Sequence, residues 1–212
     1  MYVPKLFQVN DSKTIKDFMR QHEFALVISA GEGSPVASHL LVEVQEDGEH
    51  HIYLNGHMAR NNPQWRMFTN SGDVLAVFQG PHTYVSPNWY SVRAVPTWNY
   101  LAVHAYGQAR LIDNHSELYD LLERLVERHE RATNAISPYR LADIPRDFID
   151  NMMQGIVGFQ IAVSKIEASF KLSQNRNDND YERIILELKK RKDENSHAIA
   201  TAMERSRKDE PK

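Results

Sequence analysis

A small antiparallel β-barrel with helices inserted late in the chain is the fold class this sequence predicts, mainly β within an α+β architecture. Three observations predict it. Short runs of strand character follow one another across hairpin-type turns through the first half of the chain. The clearest helical periodicity comes only after residue 113. The 212 residues carry 42% hydrophobic and 25% charged side chains, enough for one sizeable core and far from the balance of a disordered chain.

The elements follow in order. Asp11 or Ser12 caps a short helix that sends Ile15, Phe18 and Met19 to one side. Phe24 to Ser29 is an apolar strand closed by a turn at Gly31-Glu32-Gly33, and Pro35 to Val44 resumes as a second strand. Asp47-Gly48 suits a hairpin turn, after which His51 to Leu54 returns and stops at Gly56. Asn61-Asn62-Pro63 reads as a cap with proline at the first helical position, opening a helix over 64–69 that ends near Ser71-Gly72. Val74 to Phe78 is a strand, Gly80-Pro81 interrupts it, and Thr83 to Ser86 continues the sheet. A loop rich in Pro, Trp and Tyr covers 87–96, and a long strand covers 99–111.

Leu118, Leu121, Leu122, Leu125 and Val126 fall at i, i+3, i+4, i+7 and i+8, an amphipathic helix entered through Asn114 and Glu117. A second helix runs from about Pro145 to Gln154 with Gly155 as its stop, so helices occupy about 113–155. Ile156 to Phe170 alternates as a final strand, and Ile184, Ile185 and Leu188 support a helix from Tyr181. The domain is therefore placed at 1–190. Residues 191–212, polar and poor in apolar side chains, are expected to be a charged, partly flexible C-terminal tail.

The net charge of -3 predicts no strong attraction to polyanions, and the absence of cysteine excludes disulfides and thiolate metal sites. No apolar run is long enough for a membrane span and the first ten residues lack signal-peptide character, which together predict a cytoplasmic protein without membrane contact. His39, His57 and His104 lie on or beside strands without local pairing, so no metal site is assigned. No catalytic residues are assigned either, because no nucleophile elbow or phosphate-binding glycine loop is present.

Three segments carry candidate chemistry. Gly56-His57-Met58-Ala59-Arg60-Asn61-Asn62-Pro63 places a planar guanidinium beside exposed N–H groups at a helix start, a combination suited to phosphate. Lys171-Leu172-Ser173-Gln174-Asn175-Arg176 packs hydrogen-bonding and cationic side chains at the exit of the last strand, which suits an anionic group. Trp98, Asn99 and Tyr100 follow a proline-stiffened loop and offer a stacking surface beside an amide, as a flat, polar-edged ring requires. Polar turns, strand entries and a hydrophobic loop at a dimer contact are the ordinary alternatives for the same residues.

Taken together, Met1-Tyr-Val-Pro4, Gly56 to Trp65, Val85-Ser-Pro-Asn-Trp-Tyr90, Val95-Pro-Thr-Trp-Asn-Tyr100 and Lys171 to Arg176 resemble the PaiB family of FMN-binding negative transcriptional regulators, over about residues 1–190. The resemblance implies an FMN-binding split β-barrel with flanking helices and a C-terminal helix, similar to pyridoxamine-phosphate oxidase, assembled as a homodimer with FMN at the subunit interface. It implies that Ser38 and His39 approach the flavin, that His57, Ala59, Arg60 and Asn61 cradle its phosphate, and that Trp98, Asn99 and Tyr100 lie along the ring. Lys171, Ser173, Gln174 and Asn175 would enter from the late strand. Where the oxidase has consecutive Ser-Arg-Lys, this chain has Ala59-Arg60-Asn61, one hydroxyl and one cation fewer. Control of sporulation and degradative enzymes, and any contact with DNA, follow from the resemblance alone. Lys189 to Lys192 is the one basic cluster, and Asp193-Glu194 follows it at once. The alternatives are a flavin-dependent oxidoreductase or haem-handling enzyme of the same barrel class, and a dimeric module that has lost the flavin.

Overall fold

The computed structural model describes residues 1–31, 33–69, 73–133 and 136–208. Six strands, β1 (Phe24–Ser29), β2 (Val36–Glu46), β3 (Ile52–Ala59), β4 (Val74–Val85), β5 (Thr97–Ile112) and β6 (Ile156–Lys171), close into a barrel in the order β1-β2-β3-β6-β5-β4. Closure removes the unpaired edges that an open sheet of this size exposes. Among the described residues five α-helices accompany it: α1 (Ser12–Gln21), α2 (His115–Thr133), α3 (Arg146–Met153), α4 (Asp178–Lys190) and α5 (Glu194–Lys208). The mainly β, α+β expectation is met. The expected turn at Glu32 and helix stop at Ser71-Gly72 lie outside the described residues.

Two strand assignments are corrected. β3 does not stop at Gly56 but runs through it to Ala59, because glycine here answers a close approach rather than a turn. A Cβ on Gly56 would lie 2.6 Å from the Phe159 ring and 2.9 Å from the Leu41 carbonyl oxygen. β4 likewise continues unbroken through Gly80-Pro81, since proline's fixed φ is compatible with extended backbone. The helix after Asn62 forms as a 3-10 helix over Pro63–Thr69, with Asn62 Oδ1 accepting from Gln64 N at 3.0 Å.

The chain forms two compact units. One holds residues 19–77 and 105–166. In it β1 pairs with β2 and β4, β2 with β3, and β3 with β6, all antiparallel. Strand parity turns Val27, Val42, Leu54, Ala76, Phe159 and Ile161 inward, and all are buried. Leu118, Leu121 and Leu125 of α2 pack with Ile112, Ile149 and Met153, as the helical period requires. Ion pairs fix α2 further: Arg124 Nε lies 3.2 Å from the buried Glu43 carboxylate, and Arg128 lies 2.8 Å from Glu23.

The other unit holds residues 1–18, 78–104 and 167–212. Phe18 packs on Phe170 with ring centroids 5.0 Å apart. Here the expectation of a flexible tail beyond residue 190 is corrected for the described residues. Glu194–Lys208 is a helix, with Asp193 capping Ser196 N at 2.9 Å and with Ile199, Ala200 and Met203 fully buried. Those side chains recur at i, i+1 and i+4, a stripe buried where α5 lies against α4, in spite of the charge around it. Residues 209–212 lie outside the described part. No helix among the described residues is long and apolar enough to cross a membrane.

Candidate functional site

Within the first unit, the turn after β3 gathers most of the residues read as a phosphate cradle. Asn62 N closes it on the Ala59 carbonyl at 2.9 Å, and Arg60 N donates to Gly155 O at 2.8 Å. The Arg60 guanidinium does not reach freely into solvent. Its Nε donates to Gln154 O and its Nη2 to Ile156 O, both at 2.8 Å, so the fork fastens the end of β3 to the start of β6. Asn61 and Ala59 are exposed. Ser38 Oγ accepts from Asn62 Nδ2 at 2.8 Å, whereas His39, the next residue along β2, stacks on the exposed Phe24 ring at 5.7 Å. Consecutive strand residues face opposite sides, so Ser38 and His39 do not line one surface.

His57 is half-buried, and among the described residues its Nδ1 has no hydrogen-bond partner. Burial holds its pKa below the ordinary 6.5, and burial also lowers His22 and His104. A depressed folded pKa contributes stability that is present above the unfolded value and lost as pH falls through the folded one. Thermal melts are therefore expected to fall from roughly pH 7 to pH 5. His57→Gln is expected to flatten that slope, and an unchanged slope would assign it to the other two histidines.

In the second unit the late-strand residues meet those of β5. Ser173 Oγ donates to Asn99 Oδ1 at 3.0 Å, and Asn99 Nδ2 contacts Met203 Sδ at 3.7 Å; Asn99 is wholly buried. Ser173 is buried with a φ of 63°, a left-handed conformation uncommon outside glycine. Lys171 Nζ donates to Thr97 Oγ1 at 2.7 Å and lies 5.8 Å from the Phe7 ring centroid, an arrangement that leaves ammonium hydrogens for a further acceptor. Gln174 turns back on the chain, accepting from Leu172 N at 2.8 Å and donating to Phe170 O at 2.6 Å, and Asn175 is exposed.

Trp98 and Tyr100 share one face of β5 and Asn99 takes the other, so the three do not form a single wall. Trp98 is 47% exposed, and its Nε1 donates to His82 Nδ1 at 3.2 Å. Tyr84 meets the Trp98 ring edge-on at 6.3 Å. Tyr100 OH lies 3.3 Å from Ser169 Oγ. The sequence reading missed His82, Tyr84, Thr97 and Ser169 here. It also missed Gln64 in the first unit, whose buried amide donates to Val27 O, Ser29 Oγ and Val36 O at 2.9–3.2 Å. Alternation along β4 was the available signal for His82 and Tyr84; nothing local marks the others. Among the described residues no group of three His, Asp or Glu is placed to hold a metal ion.

A closed six-stranded barrel with helices inserted between β5 and β6 defines a protein of the split-barrel α+β class. The chain belongs to the family described as "Putative FMN-binding domain", whose model matches residues 1–165. It is 40% identical over 204 residues to "Protease synthase and sporulation protein PAI 2" of Bacillus subtilis, covering 96% of this chain and 97% of that one, which places it in the PaiB family. Solved structures that share its fold include two flavin-related proteins. The flavocytochrome Anf3 of Azotobacter vinelandii has a TM-score of 0.57 at 12% identity, over 85% of this chain and 78% of its own. The FAD and heme binding protein of Mycobacterium smegmatis has a TM-score of 0.53 at 14% identity, over 82% and 78%.

Proposed function

We propose that this chain binds FMN and acts as a negative regulator of gene expression of the PaiB kind. The family match over residues 1–165 carries the flavin reading, and the name of the Bacillus subtilis relative, a sporulation protein, supports the regulatory one. The residues present supply the two chemistries such a group needs, though on opposite faces of β5: Lys171, bound to Thr97, offers a cationic donor for a phosphate, and Trp98 offers a half-exposed ring. We assign the phosphate to Lys171 rather than Arg60, whose fork is committed to backbone carbonyls. When bound, a flavin supplies redox chemistry, and the chain's part is to hold and orient it.

A homodimer is supported by the outer face of β1. Ala25, Val27 and Ser29 are buried, so Phe24, Leu26 and Ile28 point away from the core, beside Ala37 and His39 of β2 and Leu75 and Val77 of β4, while Leu41 packs against the α2 cluster. Phe24 is 67% exposed. Apolar area of this kind is the ordinary mark of a protein contact. Direct DNA contact has less support. Lys189 pairs with Glu204 at 2.5 Å, Lys190 with Glu187 at 2.6 Å and Arg191 with Asp193 at 3.3 Å, so phosphates would have to compete with carboxylates. Regulation through a flavin-dependent partner contact fits better.

The test is an absorbance spectrum of the purified protein followed by FMN titration. Lys171→Ala is expected to weaken FMN about tenfold or more, the worth of a charge-assisted hydrogen bond. Arg60→Ala is expected to keep near-parental affinity and to lower the melting temperature. No flavin uptake by the parent would end the cofactor reading, and the reverse pattern would return the phosphate to Arg60.

A further inference from the structure

Arg176 is half-buried, and its guanidinium lies over the ring of Tyr90, 4.0 Å from the ring centroid. Among the described residues it has no carboxylate or carbonyl partner. The nearby acids are otherwise engaged: Asp178 is paired with Arg207, and Asp180 accepts from Ser91 N at 2.6 Å and from Asn177 Nδ2 at 3.1 Å. Tyr90 is only 7% exposed, and its buried hydroxyl has no hydrogen-bond partner among the described residues. Two donors, one cationic and one neutral, are thus held together with no hydrogen-bond acceptor for their side chains among the described residues.

The frame around them is fixed. Tyr90 N donates to Pro87 O at 3.2 Å, the Ser91–Asp180 bond ties the loop to the start of α4, and Arg176 N donates to Ser173 O at 3.0 Å. A buried hydroxyl without a partner destabilises the fold that contains it, whereas phenylalanine at the same place removes the penalty and keeps the packing. An oxygen-rich anion satisfies both groups at once, the guanidinium through its planar fork and the hydroxyl as a further donor.

We propose that Arg176 and Tyr90 form a binding site for a phosphate-sized oxyanion. The guanidinium covers the phenol in the free protein, and the anion draws it off the ring face and exposes the hydroxyl beneath. The anion is either free in solution or the phosphate of the cofactor proposed above; in the second case the inference rests on the FMN reading, and two measurements separate the sources.

The first measures melting temperature in inorganic phosphate against chloride at matched ionic strength, for the parent, Tyr90→Phe and Arg176→Gln. A free-anion site gives a phosphate-dependent rise in the parent that both variants lose. Tyr90→Phe should melt at or above the parent without phosphate, which a merely structural hydroxyl would not produce. The second compares FMN with riboflavin. If the site takes the cofactor's phosphate, the parent prefers FMN and both variants lose that preference at least tenfold. Variants indistinguishable from the parent in both measurements overturn the site. A parent that binds neither flavin sinks the cofactor reading alone, and the phosphate measurement then decides the site.

Discussion

Gly107→Ala is expected to cost about 3 kcal/mol or more of folding stability, the upper end for overpacking a well-filled interior. A Cβ at this position would lie 2.0 Å from the Ala162 carbonyl oxygen and 2.7 Å from its carbon. Both are backbone atoms, so no rotamer change relieves the clash. Nor does Ala162 have room to retreat, because on its other side it is in register with Tyr53 of β3. The crowding therefore has to move a strand in a closed barrel, where a shift passes to the neighbouring strands. Denaturant midpoints give the measurement, with Gly48→Ala as the control. Nothing lies within 4 Å of a Cβ on Gly48, and its change is expected to stay within about 0.5 kcal/mol. Equal midpoints for the two variants would mean that β5 and β6 do not approach as closely as described.

Gly107 and Gly56 also show what a single sequence conveys about this fold. Alternation along β1, β5 and β6 was legible, because a strand with one buried face writes its register into its residues. The helical stripe of α2 was legible for the same reason at the other period. A glycine in a strand is ambiguous: it marks either a turn or a close approach, and only the partner strand decides. Gly56 was read as an end because Phe159, over a hundred residues later, is what crowds it.

The candidate site divides along the same line. The chemistry of each segment was readable, but its partners were not. Arg60 carries the right group for a phosphate, yet its Nε and Nη2 are bound to carbonyls at Gln154 and Ile156, which no local pattern announces. Parity, by contrast, was available and decisive. Ser38 with His39, and Asn99 with Tyr100, are neighbours on strands, and neighbours on strands face apart. Lys171 with Thr97, and Ser173 with Asn99, are pairs that only the pairing of β6 beside β5 brings into contact.

Met203→Ala is expected to destabilise the protein by about 3 kcal/mol, within the usual range for truncating a large buried side chain. Met203 is wholly buried, its carbonyl accepts from Tyr181 OH at 2.9 Å, and its sulfur meets the Asn99 amide. Met203→Leu, which conserves volume, is expected to cost less than about 1.5 kcal/mol. A solvated tail predicts the opposite, no measurable effect from either change, so denaturant melts of the two variants discriminate directly. The consequence extends beyond stability. Asn99 has Ser173 Oγ on its oxygen and Met203 on its amide nitrogen, so emptying the Met203 position loosens the residue that holds the left-handed Ser173 in place. Ser173 in turn stands between Lys171 and Arg176, the two cations assigned above to anionic groups. Met203→Ala is therefore expected to weaken FMN as well as to lower the midpoint, although no atom of Met203 is assigned to the ligand. If the stability falls and the affinity does not, α5 is a buttress for the fold alone and the strand exit is held by its own hydrogen bonds.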